Sequence, residues 1–437
     1  MNGRRAHGLS GIFLNSAFVF ACRVTGAALV LLLQVMLARW MGASAVGVYV
    51  LAFSWCVLLA TISNLGLASA SLRIIGQAVG QNNPGVIWGF LRRGMQIVAT
   101  TSLAGTLIGT VVVLSVGESL PGGEVAPFLW SLASVPLLSG ISVLCVVAVA
   151  FQWFGLAYLP SEVVRPLSIF SIVALIWVIT NQLTASTVML VQFMALTATL
   201  LILVITLTRR LPRQLAAASP VFETRTWMQT ALPLLIIGLF ANYFPEVMLI
   251  LLGMHVPSDQ VAIFNASYRL AMVVTFGLTA IDAVTSPVAA RLYAARETSE
   301  LQSVVARATQ LGFWSSVAAV TGFAILGTSL LGLFGPEFVA GYDAMIILLM
   351  AQLLRSAAGP VIPLLSVTGH QHRCLVVFGS ALMMAILLVF VLVPTFGIRG
   401  GAVAVFLVTL VWTIWLHRLV VVHIGIRPSI FGILSAR

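Results

Sequence analysis

Five charged side chains lie inside the long apolar stretches of this sequence, and they are the residues best suited to do chemistry there: Arg23, Glu246, Arg269, Asp282 and Arg355. A charge near the centre of a lipid bilayer costs roughly 2.5–3.5 kcal/mol even on a lenient insertion scale, so it persists where it faces a polar interior. Three of the five are arginines, and the planar guanidinium group stays charged and binds phosphate through paired hydrogen bonds. The pattern predicts a membrane path for an anionic cargo.

The three arginines are the predicted cargo-binding residues. Arg355 lies near the middle of its apolar stretch, so its side chain cannot easily reach the membrane surface, and it has no obvious acidic partner in its own helix. Arg23 lies in the first stretch, towards its predicted cytoplasmic side, where its long stem could also reach the interface. Arg165 and Asp282 are close to the ends of their stretches, and we predict a plain interfacial position for both.

Glu246 and Arg269 form a predicted ion pair. They flank a hairpin that turns near Pro257, with Glu246 eleven residues before the proline and Arg269 twelve after it. At 1.5 Å per helical residue both lie roughly 16–18 Å from the turn, so the two side chains can meet. A gating pair that orients Arg269 and a purely structural pair fit the sequence equally well.

Three prolines are predicted hinges. Pro245 adjoins Glu246, and Pro360 and Pro363 follow Arg355. Each proline removes a backbone hydrogen bond from its helix, so each favours a bend. Such bends could serve alternating access, and static kinks filled by neighbouring side chains fit equally well.

Six amide side chains are candidates for lining a sugar path through the same helices. Hydrogen bonding between helices explains any one of them as well. The six are Asn15, Gln34, Asn64, Gln192, Asn242 and Asn265.

The elements that must position these residues are membrane-spanning helices. The chain of 437 residues is 60% hydrophobic and only 8% charged, with a mean hydropathy of +1.11, which excludes a soluble globular domain. A crossing needs about 20 apolar residues, and windows of this kind predict an all-α protein with twelve crossings. The windows are approximately 12–37, 46–70, 95–116, 127–151, 162–180, 186–207, 229–252, 261–284, 310–333, 343–366, 374–393 and 400–422.

The charge distribution predicts the orientation of the chain. With the N-terminus in the cytoplasm, the inner side holds seventeen arginines and the outer side holds only Arg39 and Arg399. The positive-inside rule therefore predicts that both termini are cytoplasmic. The net charge of +11 is then a topology signal, and we expect no nucleic-acid partner. The first apolar stretch is too long for a cleaved signal peptide and is predicted to be a retained anchor.

Two six-helix bundles are the predicted domains. Residues 1–208 form the first bundle, residues 209–228 a cytoplasmic linker, and residues 229–437 the second bundle. The segment 46–49 resembles 261–264, and Gly155 corresponds to Gly369, so the halves match at an offset near 215 residues. This indicates parallel repeats related by an axis along the membrane normal, with the substrate between them.

Enzyme signatures are absent from the sequence. It contains no phosphate-binding loop of the Walker type and no cysteine or histidine spacing typical of a metal site, so we expect no cofactor, no metal and no catalytic residues. The predicted external loops are short. That counts against a membrane glycan polymerase or a lipid-linked glycosyltransferase, and a non-catalytic scaffold stays open.

Four loose motifs, in the right order, carry a resemblance to a known family. They are 37–42 leading into 46–49, the stretch 264–270, the stretch 333–338 with Tyr342, and Thr368-Gly369. On these motifs the chain resembles the oligosaccharide flippases (polysaccharide biosynthesis, Wzx-type) of the multidrug/oligosaccharidyl-lipid/polysaccharide exporter superfamily. The resemblance implies transfer of an undecaprenyl-pyrophosphate-linked glycan across a bacterial inner membrane by alternating access.

The resemblance also implies partners and residue roles. Membrane lipids, other membrane proteins of polysaccharide assembly, and coupling to H⁺ or Na⁺ are the expected partners. Arg23 lies in a stretch similar to the arginine-containing first-helix motif of peptidoglycan-precursor flippases, which implies contact with the head group. Those flippases generally carry two further C-terminal helices that this sequence lacks, and Glu246 stands where many relatives carry an aspartate.

A drug or cation antiporter of the same superfamily is the main alternative. Such exporters usually rely on acids within the membrane, often in the first helix. Residues 12–37 contain no acid. A positive path also repels cationic drugs.

Overall fold

Twelve membrane crossings make up the fold. The computed structural model describes residues 9–117, 120–212, 218–368 and 373–430. Within them, ten apolar helical segments are long enough to cross a membrane, and two of these, Leu14–Ser63 and Arg373–Ile424, have 50 and 52 residues. Each would be about 75 Å long as one helix, more than twice the apolar core of a bilayer. Gly42 (φ 75°) and Gly397 (φ 55°) break them, so the all-α class and the twelve crossings predicted from the sequence are confirmed.

The helices follow one another with short connections. In the described residues they are α1 (Leu9–Ser63, broken at Gly42), α2 (Leu67–Gly80), α3 (Pro84–Val116), α4 (Val125–Ala150), α5 (Phe154–Tyr158), a π-helical segment (Leu159–Val164), α6 (Arg165–Thr180), α7 (Ala185–Arg210), α8 (Thr224–Gly253), α9 (Ser258–Met272), α10 (Val274–Ala294), α11 (Thr298–Gly332), α12 (Tyr342–Ala357), α13 (Val361–Val367) and α14 (Arg373–Ile424, broken at Gly397).

Local sequence explains where several helices begin and end. Asn83 precedes Pro84 and its side chain accepts a hydrogen bond from the Val86 backbone N–H at 3.3 Å, a typical cap at a helix start. Thr184 caps α7 in the same way. Asn181 ends α6 in the left-handed conformation that asparagine tolerates.

The even number of crossings brings both described chain ends to one side. We call this side, which carries the turns at 81–83, 151–153 and 295–297, the terminal face. The far face is the opposite side, with the turns at Gly42, 181–184, 254–257 and Gly397. That the terminal face lies in the cytoplasm remains a prediction of the charge distribution.

Six crossings lie on either side of the connection between α7 and α8. We call residues 9–212 the N-half and residues 218–430 the C-half. In the N-half α4 packs against α1, α3 and α7, and in the C-half α12 packs against α9, α11 and α14. Helix α8 begins at Thr224, so residues 224–228 of the predicted linker are helical. We retain the two predicted bundle domains as a proposal.

The two halves are held together at the far face. The Arg39 guanidinium donates two hydrogen bonds of 2.7 Å to the carbonyl oxygens of Gly332 and Leu333 at the end of α11. The hydroxyl groups of Ser44 and Ser258 lie 3.2 Å apart, again across the halves. The far face is therefore closed in this conformation.

The backbones of the two halves also approach each other closely at the far face. Gly47 lies directly against the backbone carbonyl of Ser258, so that a Cβ atom at position 47 would overlap it. The segments 46–49 and 261–264, which the predicted repeat matches, are both buried beside this contact. Matched segments are expected to meet where a two-fold axis passes between the halves.

The terminal face is more open. Residues 14–25 of α1 are exposed on nearly every side of the helix, and about three quarters of α10 is exposed or partly exposed, whereas α9 is buried along almost its whole length. Helices α1 and α9 pack against each other at the far face, whereas α1 and α10 share few contacts. We call the exposed region along α1 and α10 on the terminal side the cleft.

Helix α8 bridges the halves beside this cleft. Gly66, before α2, and Gly89, in α3, lie against the backbone carbonyls of Ala231 and Val221, and a Cβ atom at either glycine would overlap them. The start of α8 is thereby fixed to the N-half, although the rest of α8 belongs to the C-half.

A disulfide across the far face should stop the transport that the sequence predicts. We expect the double variant Ser44→Cys, Ser258→Cys to cross-link under oxidising conditions, because the two hydroxyl oxygens are already 3.2 Å apart. A transporter that must open its far face in every cycle would then stall, and a reductant should restore the rate. Transport assays on each single variant are the control, and an undiminished rate in the fully cross-linked protein would contradict the expectation.

Candidate functional site

A small polar cavity lies between the halves in the middle of the structure. Its volume is about 70 Å³, room for a few water molecules. Both halves contribute polar side chains to its wall: Gln34, Tyr49, Ser54, Arg165 and Gln192 from the N-half, and Glu246 and Arg269 from the C-half. We call this the central cavity.

Arg165 reaches the central cavity because its crossing begins earlier than hydropathy predicts. The crossing Phe154–Thr180 has 27 residues, and Arg165 is eleven residues into it. The interfacial position predicted for Arg165 is therefore wrong. A π-helical segment, Leu159–Val164, immediately precedes it, and such segments occur often at functional sites. The sequence did offer a signal, the turn at 151–153. Counting helical residues from that turn would have placed Arg165 well inside the crossing.

The charges of the central cavity are only partly balanced. Two guanidinium groups, Arg165 and Arg269, share it with one carboxylate, Glu246, so its formal charge is positive. Among the described residues, the only salt bridge within 4 Å joins Arg399 and Asp343 on the far face, at 2.5 Å. Glu246 and Arg269 thus line one cavity without a salt bridge between them, and their role as a gating pair stays a prediction.

Unpartnered polar atoms concentrate at the central cavity. In the described part of the chain, ten buried side-chain nitrogen or oxygen atoms have no hydrogen-bond partner. Four of them line this cavity: Gln34 Oε1, Arg165 Nε, Glu246 Oε2 and Arg269 Nε. Buried polar groups are nearly always satisfied, and an unpaired one is expensive. With two unpartnered donors and two unpartnered acceptors, the cavity has the hydrogen-bonding capacity of a binding site for a polar group.

Arg355 lies in the interior of the C-half, apart from the central cavity. It lines two other spaces, of about 40 and 80 Å³. Asp282 lines the first of these, where its charge attracts the guanidinium, so the interfacial position predicted for Asp282 is also wrong. The reason is that α10 continues to Ala294, twelve residues beyond Asp282.

Arg23 lies in the exposed part of α1 that borders the cleft. Its guanidinium carbon is 5.5 Å from the centre of the Tyr158 ring, within the range of a cation–π contact. The structure thus does not bring Arg23, Arg269 and Arg355 together. Arg269 shares the central cavity with Arg165, whereas Arg23 and Arg355 lie outside it.

The predicted hinges differ in their surroundings. Helix α8 stays helical through Pro245. The tenth crossing is interrupted between Ala357 and Val361, where Gly359 has φ 77° and Pro360 starts α13. Pro360 and Pro363 line the same space as Arg355. Whether these prolines act as hinges remains a prediction.

The six amide candidates separate into different environments. Gln34 and Gln192 line the central cavity and Asn242 lines the larger space beside Arg355. Asn64 donates a hydrogen bond of 2.7 Å to Ser142, and Asn265 is buried in α9. Asn15 lies near the start of α1 and is partly exposed. Two of the six are therefore candidates for contact with a cargo in the central cavity.

Comparison with known proteins gives structural neighbours only. No protein-family model matches the chain, and no curated protein matches its sequence. One matching structure shows a multidrug resistance MATE family transporter of the MOP superfamily in its inward-facing conformation, with 17% identity, a TM-score of 0.73, and coverage of 90% of this chain and 94% of that one.

Two further solved structures also match the chain. The lipid II flippase MurJ in an inward closed conformation has 12% identity and a TM-score of 0.73, and the match covers 93% of this chain and 87% of that one. A MOP superfamily transporter from Pyrococcus furiosus, described as having a binding pocket of reverse polarity, has 15% identity and a TM-score of 0.68, with coverage of 93% and 94%. The chain therefore has the fold of MOP superfamily transporters over almost its whole length.

Proposed function

We propose that this protein is a flippase that moves a polyprenyl-pyrophosphate-linked oligosaccharide from the inner to the outer leaflet of a bacterial inner membrane, for surface polysaccharide synthesis. The fold is that of transporters, and one structure with this fold belongs to a lipid II flippase. In this proposal the terminal face is cytoplasmic, the cargo is lipid-linked, and the chain works by alternating access.

The observation that carries the proposal is the pair of arginines in the central cavity. Arg165 and Arg269 come from opposite halves and face one cavity, whose lining contains a single carboxylate, that of Glu246. A pyrophosphate offers several acceptor oxygens to such guanidinium groups. Binding of one anion by both halves would neutralise the excess positive charge and draw the halves together, which links cargo binding to closure.

The remaining charges fit a route towards this cavity. Arg23 lies on the exposed part of α1 beside the cleft, in reach of a head group that enters from the membrane surface. Arg355 lies behind the cavity wall and adds positive charge while Asp282 offsets part of it. The lipid tail can stay in the bilayer, because the part of α1 that borders the cleft exposes large apolar side chains, among them Leu14, Phe18 and Phe20.

A cation-coupled antiporter is the second candidate, and Glu246 favours it. This carboxylate has an unpartnered oxygen in the central cavity, where a proton or a metal cation could bind. The same carboxylate is compatible with a flippase that uses a cation gradient. The cargo therefore decides between the two functions.

The experiment compares two cargoes in proteoliposomes that contain the purified wild-type protein. One is a fluorescent polyprenyl-pyrophosphate oligosaccharide whose leaflet exchange is followed by a membrane-impermeant quencher. The other is a cationic dye whose efflux is driven by a proton or sodium gradient. We expect exchange of the lipid and no efflux of the dye.

The outcomes separate the candidates. Dye efflux without lipid exchange would replace the flippase by the antiporter. Protein-free liposomes give the background rate, and the cross-linked Ser44→Cys, Ser258→Cys protein shows that any exchange needs a moving far face.

A further inference from the structure

The N-half wall of the central cavity carries uncharged hydrogen-bonding groups next to its arginine. Gln34 and Gln192 are 7% and 3% exposed, and Ser54 is buried beside them. Arg165 belongs to the same wall. The C-half wall differs, because its polar groups are the charged side chains of Glu246 and Arg269.

This wall has two unpartnered atoms, the donor Arg165 Nε and an acceptor, Gln34 Oε1. Gln34 Oε1 is buried and has no hydrogen-bond donor within reach. A phosphate group cannot satisfy it, since a fully ionised phosphate only accepts hydrogen bonds. Sugar hydroxyl and acetamido groups donate as well as accept, as the primary amides of Gln34 and Gln192 do. The wall therefore matches a neutral polyhydroxyl group attached to a phosphate better than it matches a phosphate alone.

We propose that Gln34 and Gln192 bind the first sugar of the cargo while Arg165 binds the phosphate next to it. This inference rests on the proposed flippase function and adds the residues that select the glycan. All three residues belong to the N-half, so their spacing does not change when the halves move against each other. The central cavity of about 70 Å³ is too small for a sugar, so the sugar enters when the wall with Glu246 and Arg269 moves away.

Gln352 offers a matched control within the same chain. It is a buried glutamine, 6% exposed, and its Oε1 also has no partner. It lines the space beside Arg355 in the C-half and is not part of the central cavity. A glutamine-to-leucine change there removes the same chemical group from a similar degree of burial.

The experiment measures leaflet exchange of two fluorescent lipids, a polyprenyl pyrophosphate with one sugar and the same lipid without it. We expect Gln34→Leu and Gln192→Leu each to lower the rate for the sugar-bearing lipid about tenfold, the effect of losing one or two buried hydrogen bonds. The rate for the sugar-free lipid should not change, and it reports that each variant is folded. Gln352→Leu should change neither rate, and Arg165→Ala should lower both.

Two results would overturn the proposal. One is an equal loss for both lipids in Gln34→Leu and Gln192→Leu, which would make these amides structural. The other is an unchanged rate for both lipids in these variants. Failure of the wild-type protein to move either lipid would reject the flippase itself, and the sugar site with it.

Discussion

Replacing Arg269 by alanine is expected to lower the rate of lipid-linked oligosaccharide exchange about 10- to 100-fold, because a hydrogen bond to a charged group is worth about 1.5–3 kcal/mol and 1.4 kcal/mol is a factor of ten. Arg165→Ala should have an effect of the same size, since both guanidinium groups face the central cavity. Arg269→Lys should be intermediate, because lysine keeps the charge and loses the planar fork.

The matched control for both variants is Arg399→Ala. Arg399 pairs with Asp343 on the far face, and its side chain is 65% exposed. Exposed ion pairs contribute about 0–1 kcal/mol, so this variant should transport at close to the wild-type rate. The amount of membrane-inserted protein is measured for every variant. Equal rates for Arg269→Ala and Arg399→Ala would remove Arg269 from the cargo-binding residues.

Placing a methyl group on Gly47 is expected to open the far face. The added Cβ atom would overlap the backbone carbonyl of Ser258, and neither backbone can move without shifting its helix. Overpacking of this kind costs about 1–3 kcal/mol. A penalty confined to the conformation with a closed far face would shift the equilibrium away from it by about 5- to 150-fold.

Cross-linking measures this shift directly. The disulfide yield of the Ser44→Cys, Ser258→Cys protein should fall when Gly47→Ala is added, because the two positions separate as the far face opens. Gly76→Ala is the matched control: Gly76 is an exposed helical glycine of α2 with open space around its Cβ position. An unchanged yield with Gly47→Ala would mean that α1 and α9 absorb the methyl group locally.

The crossings could be predicted from the sequence because the bilayer sets a minimum length of apolar chain. Twelve windows of about 20 residues therefore correspond to twelve crossings. The error at Arg165 has the same cause. Pro160, Ser161 and Glu162 lower the hydropathy just before it, so the predicted window began at residue 162 although the crossing begins at Phe154.

For Glu246, Arg269 and Arg355 the sequence could predict the depth in the membrane, and not which of them share a cavity. Counting residues from the turn near Pro257 put Glu246 and Arg269 at one depth, and both do line the central cavity. Arg355 also lies deep in the membrane, yet it occupies separate spaces inside the C-half. Which side of a helix faces which neighbour depends on packing between helices that are distant in the sequence, and residue spacing carries no information on that.

The contacts between the halves have a consequence for how this chain can evolve. Arg39 donates to main-chain carbonyl groups, and Gly47, Gly66 and Gly89 lie against main-chain carbonyl groups. A contact made to the main chain survives replacement of the partner's side chain, so only the arginine or glycine of each contact must be kept. The side chain at the partner position can change during evolution without loss of the contact. An architecture held together in this way can keep its shape while most of its residues change, in keeping with a TM-score of 0.73 at 12% identity.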